Sequence, residues 1–210
     1  MKRLCLVLLA ALAPLACAEK ATYKLTVQGK EVGTLKTDDN LLPGGKLAVR
    51  AIMEMTGPDG VKVVFDHSAR FSAAGRPETS SMVVTSKGKR VRMDATFDAK
   101  GANVTLDDGN KKTRKSVAAP KGSNTADGSL FWFIRDKPKV GAKIAYAEFD
   151  PLTLEWLSQT VTYKGVVSIT FKGKKTDAHL LEMTNSKQWL DDKGTPYRIE
   201  FENGLVAERL

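Results

Sequence analysis

His67 and His179 are the only imidazoles in this 210-residue chain. Each has an aspartate close by, in Phe65-Asp66-His67 and Asp177-Ala178-His179. A zinc centre takes three or four ligands, commonly in helical or close-turn spacing. These two histidines would have to meet and recruit carboxylates, so the plain reading is a pair of ordinary strand histidines, with no metal and no cofactor. Nucleophilic chemistry fares no better. There is no Gly-x-Ser-x-Gly elbow. Both cysteines, Cys5 and Cys17, lie within the first 18 residues. The carboxylate pairs Asp38-Asp39, Asp107-Asp108 and Asp191-Asp192 adjoin Gly or Asn in turn-like sequence, where Asp bonds its own backbone. Neighbours on a strand also face opposite ways, so none is a natural acid–base pair. Asp107-Asp108-Gly109-Asn110 lacks the alternating oxygen ligands and distal Glu of a calcium loop, and the glycines are single, without a phosphate loop. The expectation is a protein without catalysis. A hydrolase acting on envelope material would need His67 or His179 beside carboxylates in a cleft.

The aromatic residues offer a different chemistry. Phe131, Trp132 and Phe133 are consecutive, and a short helix cannot turn all three into one core. Some must cover a sheet opening or line a cavity. Trp156, Tyr163 and Trp189 can supply further lining. The candidate ligand-binding residues are therefore Phe131, Trp132, Trp156, Tyr163 and Trp189, around an apolar or lipid-like ligand at a barrel mouth, a common place for such sites. The competing reading is that the rings simply plug the barrel end, leaving a structural or interaction module with a filled core.

The elements that would position these rings are almost all strands. Side chains alternate apolar and polar with period two, punctuated by turns at short intervals, the pattern of an antiparallel all-β fold. Leu47, Val49, Ala51, Met53 and Met55 share one face, as do Val91, Met93, Ala95 and Phe97. Gly57-Pro58-Asp59-Gly60, Asp107-Asp108-Gly109-Asn110 and Asn203-Gly204 carry turn chemistry. A long strand is expected from Leu154 to Tyr163, with Leu157, Val161 and Tyr163 on one face and Trp156 on the other. Gly165 would then separate it from Val167, Ile169 and Phe171. The pattern lapses over 118–126, which reads as a connection within one domain. Asp127 or Ser129 can cap a short helix near residues 127–135, and Lys137-Pro138 would end it. The predicted fold is all-β: a single antiparallel, strongly curved sheet or β-barrel with one short helix, spanning residues 19–210.

Residues 1–18 read as an export leader. Met1-Lys2-Arg3 is a positive start, Leu4 to Leu15 is apolar apart from Pro14, and Ala16-Cys17-Ala18 offers small residues for cleavage. The apolar run is too short for a membrane-spanning helix, which needs about 20 residues, so the chain is expected to be periplasmic or secreted and not membrane-spanning. Lipid anchoring through Cys17 is the rival. Lipoprotein signals usually carry Leu three positions before the cysteine, where this chain has Pro14. Without the leader no disulfide can form, and about 190 residues must be held by their core alone.

The formal net charge is +9, with the lysines mostly in turns. Lysines at strand ends guard against edge-to-edge aggregation. The functional alternative is attraction to an anionic surface or an envelope partner. Nucleic acid is not an expected partner, since no basic recognition helix, RNA-binding aromatic signature or metal finger is present.

The pieces Pro138-x-x-Gly141, Phe149-Asp150-Pro151, Val161-Thr162-Tyr163-Lys164-Gly165 and Trp189-Leu190-Asp191-Asp192-Lys193-Gly194-Thr195-Pro196 with Arg198, together with Gly29-Lys30-Glu31-Val32-Gly33, resemble a group of exported bacterial β proteins of unknown function. Similar segments occur beside periplasmic transglutaminase-like domains. The resemblance implies a curved antiparallel sheet or barrel in the envelope and assigns no activity. The Cys-His-Asp set of the neighbouring domains is missing here, so their chemistry does not carry over. The lipid-ligand expectation draws partly on analogy with half-barrels of the lipoprotein-localisation-factor type, which carry acyl chains.

Overall fold

The computed structural model describes residues 19–57, 59–125 and 130–210, and only the backbone of Glu19, Leu130 and Phe131. The expected leader, the helix-capping residues Asp127 and Ser129, and the Phe131 side chain lie outside the described residues. Fourteen strands form one antiparallel sheet: β1 (Glu19–Val27), β2 (Lys30–Leu42), β3 (Lys46–Thr56), β4 (Lys62–Phe71), β5 (Pro77–Ser86), β6 (Lys89–Asp98), β7 (Gly101–Asp107), β8 (Lys112–Ala118), β9 (Lys143–Asp150), β10 (Glu155–Phe171), β11 (Lys174–Met183), β12 (Ser186–Leu190), β13 (Pro196–Phe201) and β14 (Leu205–Arg209). Among the described residues one short α-helix, α1 (Leu130–Asp136), falls between β8 and β9. The all-β expectation with one short helix holds. The spatial order runs β8 down to β1, then β14 down to β9. Each half is a meander of hairpins, and the chain ends join the halves through β1 and β14, with Tyr23 opposite Arg209 and Val27 opposite Leu205.

The alternation read in the sequence determines one face. Tyr23, Leu25, Leu35, Met53, Phe65, Met82, Met93, Ile199 and Ala207 are all buried on it. The opposite face of β1–β6 carries cross-strand pairs that stay in water, including Lys20–Asp38, Arg50–Asp66 and Lys62–Glu54. Such exposed pairs contribute little stability and chiefly support register. Gly33 lets β2 approach β3 closely: a Cβ there would run into the backbone carbonyl of Glu54.

The sheet does not close edge to edge. β8 pairs only with β7, and β9 only with β10. Instead the two ends overlap. Phe149 and Trp156 are direct cross-strand partners and share a face. Tyr146, Val161 and Tyr163 lie on the other face of that hairpin, which is continuous through Leu181, Gln188, Ile199 and Ala207 with the core face. Yet Phe149 and Trp156 pack against Phe97, which lies on the core face of β6. The β9–β10 hairpin is therefore rolled inside the curl of β5–β8, buried on both faces near its turn. Leu152 and Leu154 of that turn join the same core. Right-handed twist accumulating over many strands favours such coiling.

Two expectations are corrected. β10 runs through Gly165 to Phe171 as one strand, because a bulge between Tyr163 and Gly165, with Gly165 at φ +98, absorbs the glycine without ending the ladder. Asp38-Asp39 is not a turn. Both residues lie inside β2, with Asp39 buried and paired in register with Val49.

Candidate functional site

Helix α1 lies over the core face of the β9–β12 quarter. It is only seven residues long, with Lys137 at φ +43 and Pro138 immediately after it. So short a helix has little stability of its own, and packing must hold it in place. Trp132 and Phe133 are each 7% exposed. They form one apolar cluster with Tyr146 of β9, Val161 and Tyr163 of β10, Leu181 of β11 and Leu190 of β12, flanked by Ile134, Ile144 and Met183.

A polar chain runs through this cluster. Phe133 lies over both Tyr163 and His179, with ring centres 5.5 and 5.0 Å away. The Tyr163 hydroxyl is 2.8 Å from His179 Nδ1, and His179 Nε2 is 3.0 Å from Asp192 Oδ1. With Asp192 ionised, Nε2 carries the hydrogen and donates to the carboxylate, which leaves Nδ1 to accept from the hydroxyl. His179 thus does meet a carboxylate, but the Asp192 side chain is 98% exposed, so water weakens the pair. Burial raises the Tyr163 hydroxyl above its ordinary range, the opposite of what a nucleophile needs. The arrangement orients the Tyr163 and His179 rings beneath the helix.

The other histidine is elsewhere. His67 faces the core from β4, its Nε2 3.0 Å from Ser80 Oγ. Burial lowers it to about 4, with Asp66 opposing. Among the described residues, no group of three or more His, Cys, Asp or Glu side chains is placed to hold a metal ion.

The five sequence candidates do not form one site. Trp132 and Tyr163 come together under α1. Trp156 belongs to the overlap: its ring lies 5.4 Å from Phe149 and 6.0 Å from Phe97, and its indole N–H donates to the Val117 carbonyl of β8 at 3.4 Å. Trp189 lines a shallow groove of about 270 Å³ with Ile169, Phe171, Tyr197, Arg198 and Glu208. Beside that groove Arg209 stacks 4.3 Å from the Tyr197 ring centre and pairs with Asp191 at 2.9 Å. Phe133 stood in the aromatic trio but not among the five candidates, and Tyr146, Leu181 and Leu190 were missed as lining. The alternation around those three marked core, and no local signal told which core. His179 was weighed only as a metal ligand. Its partnership with Tyr163 arises across the bulge, which fixes their relative height.

The interior is rich in methionine, mostly in the larger cluster apart from the one under the helix. Met53, Met82 and Met93 are nearly inaccessible, Met55 and Met183 are half-buried, and Met82 and Met93 are direct cross-strand partners. Unbranched thioether side chains adapt their shape at small cost.

No family model matches the chain, and no curated protein matches it. Solved structures do. The chain is similar to a β-barrel-like protein of a domain of unknown function, DUF1849, from Brucella abortus, at 14% identity and a TM-score of 0.56, over 91% of this chain and 94% of that one. A DUF1089 family protein from Pseudomonas aeruginosa matches at 15% identity and a TM-score of 0.41, over 77% of this chain and 86% of the other. The first likeness extends over nearly the whole of both chains, and it establishes a β-barrel-like fold.

Proposed function

We propose that this chain is a non-catalytic, exported envelope protein that takes an apolar or lipid-like ligand between helix α1 and the concave face of β9–β12. The observation that carries the reading is the helix itself. Two large aromatic side chains, Trp132 and Phe133, are pressed onto the inner sheet face by packing. Lifting such a helix exposes rings without breaking a sheet ladder. Met183 flanks the cluster beneath it, and an unbranched thioether adapts its shape to an acyl chain or a similar apolar body at small cost. The positive start and apolar run of residues 1–18 support export.

The test uses protein purified from cells that export it. A neutral apolar dye should brighten on addition of the protein, and Trp132→Ala should weaken that response several-fold while the far-UV spectrum stays β-like. Absence of any dye or lipid uptake by the intact protein overturns the proposal. Intact mass of the exported form tests cleavage after Ala18 against lipidation of Cys17.

One observation favours a second reading, a structural module with a filled core. The β9–β10 turn inserts Leu152 and Leu154 into the larger cluster. Dye-negative protein that co-purifies with a stable envelope partner would support it.

A further inference from the structure

The positive charge of this protein is concentrated in the β6–β8 part of the rolled sheet. Residues 87–121 hold ten basic and four acidic side chains, a net +6 out of a formal +9 for the whole chain, two of whose positive charges, Lys2 and Arg3, belong to the leader segment. These residues form the β5–β6 turn, β6, β7, β8 and the segment after it. The β5–β6 and β7–β8 turns lie at the same end of the meander, since each strand reverses the last. They bring Lys87, Lys89, Arg90, Lys111 and Lys112 together, all exposed. The acidic groups of the β7–β8 turn are Asp107, which pairs with Lys112, and Asp108, whose carboxylate accepts from the backbone N–H groups of Asn110 and Lys111; Asp66 of β4 lies within electrostatic reach of Arg90. Further along, Arg92 pairs with Asp94, and Asp98 caps the turn at Lys100. Among the described residues, Lys87, Lys89, Arg90, Lys111, Arg114 and Lys115 have no ion-pair partner.

β8 is also the outer, unpaired edge of the sheet, and Lys111 to Ser116 are all exposed. Its basic residues point both ways. Arg114 shares a face with Thr105, and Lys115 shares the core-side face with Val104. An extended acidic peptide pairing with β8 would meet one strand's side chains. The basic groups here instead span two turns and both faces of an edge, a broad end suited to a plane of negative charge.

We propose that this end of the roll, centred on the β5–β6 and β7–β8 turns and the β8 edge, docks onto an anionic lipid bilayer surface. Each basic side chain near such a surface contributes roughly fivefold in partitioning, and the attraction fades within a Debye length as salt rises. The site is distinct from the aromatic cluster under α1, so vesicle binding and dye uptake can fail independently.

The experiment measures co-sedimentation of the exported protein with phosphatidylcholine vesicles, with and without phosphatidylglycerol, at low and high salt. Binding should require the anionic lipid and fall with salt. Lys89→Gln/Lys111→Gln/Arg114→Gln should lower partitioning by roughly tenfold or more. A charge-matched variant at the opposite end, Lys174→Gln/Lys175→Gln/Lys193→Gln, should keep most of the binding. These are exposed side chains, and unchanged melting of both variants confirms intact folds. Equal losses in the two variants overturn the proposal, because net charge alone would then suffice. So does a failure to bind anionic vesicles at low salt, including the case in which soluble polyglutamate binds instead.

Discussion

Trp156 and Phe97 meet with ring centres 6.0 Å apart, although they belong to opposite faces of the same sheet. That contact is possible only because the sheet overlaps itself. The overlap is held by three aromatic rings, one indole N–H and the leucines of the β9–β10 turn, with no β8–β9 ladder; beside it the Ala147 N–H donates to the Asn124 carbonyl at 2.7 Å. Held largely by side chains, it should respond to single substitutions more sharply than an ordinary hydrogen-bonded seam.

Trp156→Ala removes the ring that touches both Phe97 and Phe149, together with the hydrogen bond to Val117. A half-buried tryptophan in this role is expected to cost about 2–4 kcal/mol. Trp156→Phe, which keeps much of the ring contact, should recover part of it. Urea unfolding gives the free energies. Amide exchange along β7–β8 should rise in the alanine variant more than exchange in β1–β3.

His67 introduces a pH dependence. Its folded value of about 4 lies below the ordinary value of 6.5, because burial disfavours the charged ring. The unfolded chain then binds the proton more readily. Stability is fully present above about pH 6.5 and is lost as pH falls toward 4, by on the order of 2–3 kcal/mol at the lower limit. His67→Gln should flatten the change in unfolding free energy between about pH 7 and pH 5. A wild-type protein whose stability does not fall across that window would contradict this account of His67.

Arg209 and Asp191 are 16% and 17% exposed, and Arg209 also lies over Tyr197 and Phe171. Arg209→Met keeps the stem but leaves Asp191 without its cation. The expected cost is roughly 2–3 kcal/mol. In a double-mutant cycle with Asp191→Asn, the losses should be less than additive. Additive losses would show that the two side chains do not act on each other.

Much of this fold is legible residue by residue. The alternation of Met53 with its neighbours, the turn at Asn203-Gly204 and the helix stop at Lys137-Pro138 each follow from local chemistry, and each appears in the structure. The alternation also put Trp156 on the opposite face from Tyr163. Grouping both in one cavity overlooked that parity, and the structure separates them into two clusters. Asp38-Asp39 misled because Asp beside Asn usually marks a turn. Here thirteen residues of ladder with β1 and β3 outweigh that preference.

The sequence by itself determined that the described chain is β-rich, which side chains share a face, and where most hairpins reverse. Period two is a property of the extended backbone and needs no partner. Only the tertiary structure decided which faces are interior, because that depends on how far the sheet curls. Accumulated twist over fourteen strands carries β9–β10 inside β5–β8, so a hairpin that would have one wet face has two dry ones near its turn. The same roll places helix α1 over Tyr163 and His179 rather than over Trp156, a consequence of long-range curvature that no local spacing encodes.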